Sequence, residues 1–271
     1  MRSRGRLLYL FPLVALAAFY LLPVYVLTIT GLKSFAEVDL SRMWQFPSGL
    51  HFDSFRAAFE ALRPHLRNSA VMAVPAATIS ALLGSMNGYV LSKWRFRGAN
   101  VIFTLFLFGM FIPYQSVLIP LVLFLRRIGL YGSIPGLILV HVVYGIPITT
   151  LIFRNYYATI PTDLLEAARI DGAGILRSYW YIILRLSAPS FAVALIWQFT
   201  SIWNEFLFAI ILTKPSNWPV TVALNNLAGT QIVQWNVQMA GALLAAVPTL
   251  IVYIFLGRFF LRGLMAGAIK G

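Results

Sequence analysis

Acidic residues are scarce: eight Asp and Glu stand against 21 Lys and Arg in 271 residues, with no cysteine and only three histidines. Without cysteine there is no disulfide framework, no thiolate metal site and no thiol nucleophile. His51, His65 and His141 lack ligand spacing, so they read as interfacial or packed side chains. Charged residues make up 11% of the chain and hydrophobic ones 60%. With a mean hydropathy of +0.81, too little charge remains to solvate the surface of a soluble domain, which implies an integral membrane protein. A net charge of +13 raises the question of nucleic acid. The basic residues, however, cluster at the ends of apolar segments, where cytoplasmic loops collect them, so the partner they indicate is a lipid bilayer.

Chemistry is missing as well. No G-x-x-x-x-G-K-[ST] phosphate loop and no H-E-x-x-H motif occurs, and no serine or threonine nucleophile has an identifiable base. The expectation is a non-catalytic chain that binds no cofactor of its own. If it moves a solute uphill, the energy comes from an ion gradient or from another subunit.

Six segments are long and apolar enough to span: about 7–30, 68–91, 101–125, 133–153, 188–212 and 240–261. The first follows MRSRGR and is too long for a signal peptide, so it reads as a retained helix. An even number of spans puts both termini on one side. Arg2, Arg4, Arg6, Lys93, Arg95, Arg97, Arg154, Arg169, Arg177, Arg185, Arg258, Arg262 and Lys270 then share that side, which the positive-inside rule makes cytoplasmic. The outer loop from Lys33 to Arg67 carries acids and aromatic residues that suit an interfacial belt or short amphipathic helices.

Between two apolar runs lies PTDLLEAARIDGAGILRSYWYIILRLSAP, residues 161–189, with three acids in nine positions. Asp163 and Glu166 have the spacing of a capping box, and Gly172 has the place of a left-handed helix stop. About two turns of helix result, far short of the roughly 20 residues that cross a bilayer. Asp163–Gly172 is therefore expected to be a short helix at the cytoplasmic surface. Within the spans, Gly84, Gly88, Gly109, Pro113, Gly145, Pro147 and Pro248 suit bent helices around a pathway or close packing. Gln198, Ser201 and Glu205, with Asn204 beside them, share one helical face and, with Asn87, are the candidate lining of that pathway.

Glu166-Ala167-Ala168 followed by Asp171-Gly172-Ala173 resembles the EAA loop of permease subunits of bacterial ABC importers. The resemblance covers almost the whole chain and is strongest to the carbohydrate group, the MalG-like branch. It includes Asn68-Ser69, Tyr89-Val90-Leu91-Ser92, Phe96-Arg97-Gly98, Ile112-Pro113, Trp203-Asn204-Glu205 and the terminus from Gly263 through Leu264 and Gly267 to Lys270-Gly271. It implies the type I ABC importer permease fold: an all-α integral membrane chain of six transmembrane helices with a short cytoplasmic coupling helix. It also implies a second, MalF-like permease subunit, two ATPase subunits holding ATP and Mg, and an extracytoplasmic sugar-binding protein. In that family the loop docks on the ATPase, Ala167 and Ala168 letting the helix seat closely, and the tail 262–271 reaches the ATPase interface. Residues 197–226 look like the glucose or mannose permeases of the group. Two positions depart from the family pattern, Arg185 where a proline is usual and Met265 where a threonine is usual. An ion-gradient-driven secondary transporter and a membrane scaffold are the alternatives.

Overall fold

The computed structural model describes residues 2–94, 96–227 and 233–268, and helices make up nearly all of it. Helix α1 is Arg2–Gly31, α2 Asp53–Lys93, α3 Ala99–Phe111, α4 Leu118–Arg127, α5 Ile134–Ala158 and α6 Asp163–Ile170. Then come α7 Ile175–Ser178, a π-helical turn Tyr179–Ile183, α8 Leu184–Leu186, α9 Ala188–Trp203, α10 Leu207–Leu212, α11 Val220–Leu227 and α12 Trp235–Ala268. The only pairing of strand type among the described residues is an isolated bridge between Gly132 and Thr213.

Among the described residues four helices are long and apolar enough to cross a membrane, or up to six if each of two bent pairs counts as one span. The expected boundaries need correction at three places. The span expected at 68–91 belongs to α2, which runs 41 residues from Asp53. At 1.5 Å per residue it is roughly 60 Å long, about twice a hydrocarbon core, so the polar turns before Arg67 extend one continuous helix. The segment 101–125 is bent by 89° between α3 and Tyr114–Arg127, because Ile112 and Pro113 are extended. The segment 188–212 is interrupted after Trp203 and resumes at Leu207, while Ile175–Leu186 joins α9 through a 79° bend.

The chain divides into two units, Met1–Leu66 with Val222–Val247, and Arg67–Thr221 with Pro248–Gly271. In the first, α1 exposes apolar side chains from Leu10 to Val24, and its last turn is buried. Such a surface suits lipid or another apolar helix. Lys33 is buried, and its Nζ donates to the carbonyl of Arg42. Burial lowers its pKa, and Glu37 partly offsets that. Asn236 bridges the carbonyl of Lys33 and Ser54 Oγ, tying the start of α12 to this loop.

In the second unit, α5 packs on α9 and α3, and α2 meets α5 at very close range. A Cβ on Gly84 would stand 2.1 Å from Thr149 Oγ1 and 2.8 Å from its carbonyl carbon, and one on Gly88 2.7 Å from Arg154 N. These glycines, one turn apart, let two backbones touch as small residues do in membrane helices. Thr149 Oγ1 donates across the contact to Ser80 O at 2.9 Å. Gly109 has nothing within 4 Å of its Cβ position.

Gly84→Val should therefore cost about 1–3 kcal/mol through overpacking, seen as a lower thermal unfolding midpoint of the chain in detergent. Gly109→Ala should leave that midpoint where it is.

Candidate functional site: a seated surface helix and a polar cleft

Helix α6 begins differently from the expected capping box. Thr162, not Asp163, is the N-cap residue. It has helical backbone angles and no side-chain cap, and its carbonyl accepts from Leu165 N and Glu166 N at 2.9 and 3.0 Å. Asp163 and Glu166 instead sit in the first turn, where a carboxylate favours the positive end of the helix dipole. The stop matches the expectation. Gly172 has φ +79°, its N–H donates to Arg169 O at 3.0 Å, and Ala173 N donates to Ala168 O at 2.8 Å, which completes a Schellman motif.

The helix has two unlike sides. Leu165 and Ala168 are buried, with Leu165 in a cluster that includes Tyr89, Phe153, Tyr157, Tyr179 and Ile183. Ala168 is thus turned into its own chain, and of the expected alanine pair only Ala167 is exposed. The Arg169 guanidinium lies 4.5 Å over the Trp94 ring, and Lys93 Nζ donates to Ile160 O. On the outer side Asp163, Leu164, Glu166, Ala167, Ile170, Asp171 and Gly172 are exposed, Ile170 at 88%. Ala173 is half-buried.

The chain returns to the apolar core through a bend that four hydroxyls hold. Ser85 Oγ lies 2.6 Å from Tyr157 OH and 2.9 Å from Tyr179 OH, Tyr157 OH lies 2.9 Å from Ser187 Oγ, and Ser187 donates to Ile183 O. This buried chain links α2, α5, the π-helical turn and the residue before α9. Pro189 follows in the first turn of α9, where its missing N–H costs nothing. Arg185 is exposed, with its guanidinium 5.8 Å over the Tyr181 ring. The bend is therefore made at Ser187 and Pro189, and the absence of a proline at position 185 does not remove it.

A second feature lies at the far end of α9. Gln198, Ser201, Asn204 and Glu205 line one cleft of about 560 Å³ together with Tyr114, His141, Tyr144, Trp197 and Phe208. Asn87 is half-buried on α2 and does not line it. Gln198 donates to His141 O at 3.3 Å. It reaches there because residue 145 is glycine, whose Cβ would stand 2.1 Å from Gln198 Nε2. Glu205 lies past the end of α9 and caps α10: its oxygens accept from Phe208 N at 2.6 Å and Ala209 N at 3.1 Å. The Glu205 side chain is only 16% exposed, and the interrupted backbone supplies its partners. Sequence reasoning missed His141, Tyr114, Tyr144 and Trp197. The available signal was the spacing of His141, Tyr144 and Ile148, which puts them on one face of α5.

Of the expected tail residues, Gly263, Leu264 and Gly267 belong to the last turns of α12, and Lys270 lies outside the described residues.

A membrane chain with a seated surface helix at one place and a polar cleft between broken helices at another is built as the transmembrane part of a transport system. The chain belongs to the family described as binding-protein-dependent transport system inner membrane components, which matches residues 74–265. It is 46% identical to a probable ABC transporter permease protein of Pyrococcus horikoshii, over 99% of this chain and 98% of that one. It is 38% identical to the xylose/arabinose import permease protein of Haloferax volcanii, covering 92% and 89%. It is 31% identical to the glucose import system permease protein of Saccharolobus solfataricus, covering 94% and 91%. The fold matches a crystal structure of a bacterial ABC transporter involved in import of the acidic polysaccharide alginate, with TM-score 0.78, 23% identity and 95% and 98% of the two chains covered. Family membership makes the chain an ABC-type permease and sets aside the secondary-transporter alternative.

Tyr157→Phe removes two hydrogen bonds while Ser85 keeps Tyr179 and Ser187 keeps Ile183. It should cost about 1 kcal/mol, read as a small fall in the unfolding midpoint. Ser201→Ala, outside the hydroxyl chain, should leave the midpoint unchanged.

Proposed function

We propose that this chain is one of two permease subunits of a sugar importer and that α6 is the joint through which ATP-driven closure of the partner ATPases reaches it. The observation that carries this reading is the two-sided seating of α6. Leu165 and Ala168 fix the helix to its own chain, while Glu166, Asp163 and Asp171 stand exposed beside Leu164 and Ile170. An acidic and aliphatic face on a held helix suits a groove with a basic rim, where a carboxylate gains a charge-assisted hydrogen bond. Ala167 and Gly172 add no bulk to that face, and Ala173 closes the stop behind it.

In this reading α6 and both termini are cytoplasmic. A MalF-like second permease completes the pore, two ATPase subunits hold ATP and Mg, and a sugar-binding protein delivers the solute from outside. This chain performs no catalysis. Gly263, Leu264, Gly267 and Lys270 form the tail that meets the ATPases. Gln198, Ser201, Asn204 and Glu205 belong to the solute path at this cleft, and Asn87, on α2 outside the cleft, to another part of it. The relatives named for xylose/arabinose and glucose import support a sugar as the solute.

Glu166→Lys should reduce ATP-driven sugar uptake by the reconstituted importer to background while the permease pair still assembles. Undiminished uptake, with normal recovery of the ATPase subunits, would overturn the coupling role.

A further inference from the structure

The cleft holds a polar atom that no described residue satisfies. His141 is 5% exposed and lines the cleft, yet its Nε2 has no hydrogen-bond partner among the described residues. A buried polar atom left so is costly unless a visiting group completes it. Glu205 Oε2 lies 4.0 Å from His141 Nε2. That is too long for a direct hydrogen bond; although Nε2 has almost no accessible surface of its own, the separation is one that a single oxygen about 2.8 Å from both atoms would bridge. Each Glu205 oxygen already takes one backbone N–H, which leaves each an accepting lone pair.

A group at that point has to donate to the carboxylate and accept from an imidazole N–H. A hydroxyl does both. An ammonium cannot accept, and a carboxylate meets Glu205 as a like charge. Around the pair stand Tyr114, Tyr144 and Trp197, flat surfaces suited to the apolar faces of a sugar ring, and the described lining contains no Lys or Arg. The volume of about 560 Å³ falls within the roughly 300–1,000 Å³ of small-molecule sites. With no cation to offset it, an acidic group entering the cleft loses its water without compensation.

We propose that His141 and Glu205 form a hydroxyl-binding subsite within this chain that accepts neutral sugars and turns away the corresponding uronic acids. The proposal rests on the sugar-import reading above.

The test uses the permease pair with its ATPases in nanodiscs, without the binding protein, so that the pore and not the binding protein selects, and the His141 variants isolate this chain's share. Ligand-observed saturation-transfer NMR is run with a panel of neutral pentoses, hexoses and disaccharides and their uronic acids, and uptake is then measured with the binding protein restored. Neutral members should show saturation transfer and uronic acids should not. His141→Leu should abolish the transfer and raise the uptake KM about tenfold, equivalent to about 1.4 kcal/mol. His141→Gln, which keeps a donor near the Nε2 position, should recover most of both. Equal signals from neutral and acidic sugars, or an unchanged KM in His141→Leu, would overturn the subsite. So would loss of subunit co-elution in both variants, which would make His141 structural. If the wild-type importer drives uptake of no panel member, the sugar reading itself falls and takes the subsite with it.

Discussion

A helix that is interrupted within an apolar environment has to find partners for its freed backbone groups inside the protein, because hydrocarbon supplies none. Two interruptions of this chain show how that requirement places its polar side chains. After Trp203, Glu205 turns its carboxylate onto the first N–H groups of α10, and Thr221 donates to the Glu205 carbonyl. At the bend before α9, Ser187 takes the freed carbonyl of Ile183 and meets the Tyr157 hydroxyl. Glu205 and Ser187 are thus placed by the backbone breaks they serve, one beside the cleft and one at the bend that leads from α6 back to the core.

Close packing carries the other half of the architecture. Lipid offers no hydrophobic drive between helices, so contact depends on how nearly two backbones approach. Gly84 and Gly88 bring α2 against α5, and Gly145 lets Gln198 pass beside α5 to the carbonyl of His141. Gly84 and Gly88 thus hold α2 and α5 together, while Gly145 sets how Gln198 sits at the cleft.

What could be read from the sequence depended on whether a residue's role is local. Gly172 was legible as a helix stop because a left-handed residue is required there whatever surrounds it. The capping box was not, since it needs extended backbone at the cap and Thr162 is helical. The reach of α2 back to Asp53 was hidden because polar turns outside the apolar core carry no hydropathy signal. Pro113 was visible as an interruption, but its 89° consequence depends on Ile112 also being extended. Gln198, Ser201, Asn204 and Glu205 were grouped by helical periodicity, and they do share one cleft, although Glu205 arrives there from beyond the end of the helix. His141 was out of reach. A single histidine in an apolar run looks the same packed or functional, and only the position of Glu205, 64 residues on and 4.0 Å away, separates the two.

Helix α9 joins the two sites. It is unbroken from Ala188 to Trp203, and at 1.5 Å per residue Gln198 lies roughly 16 Å from the bend at Ser187. Its near end is tied through Ser187 and Tyr157 to the cluster in which Leu165 of α6 is buried. Its far end carries Gln198 and Ser201 into the cleft. A helix of that length behaves as a rod, so a tilt about Ser187 displaces Gln198 relative to His141, the residue whose carbonyl it holds. That hydrogen bond and the Nε2 of the proposed subsite belong to the same histidine, so the helix tied at one end to the cluster that seats α6 ends at the other against the residue proposed to receive a hydroxyl.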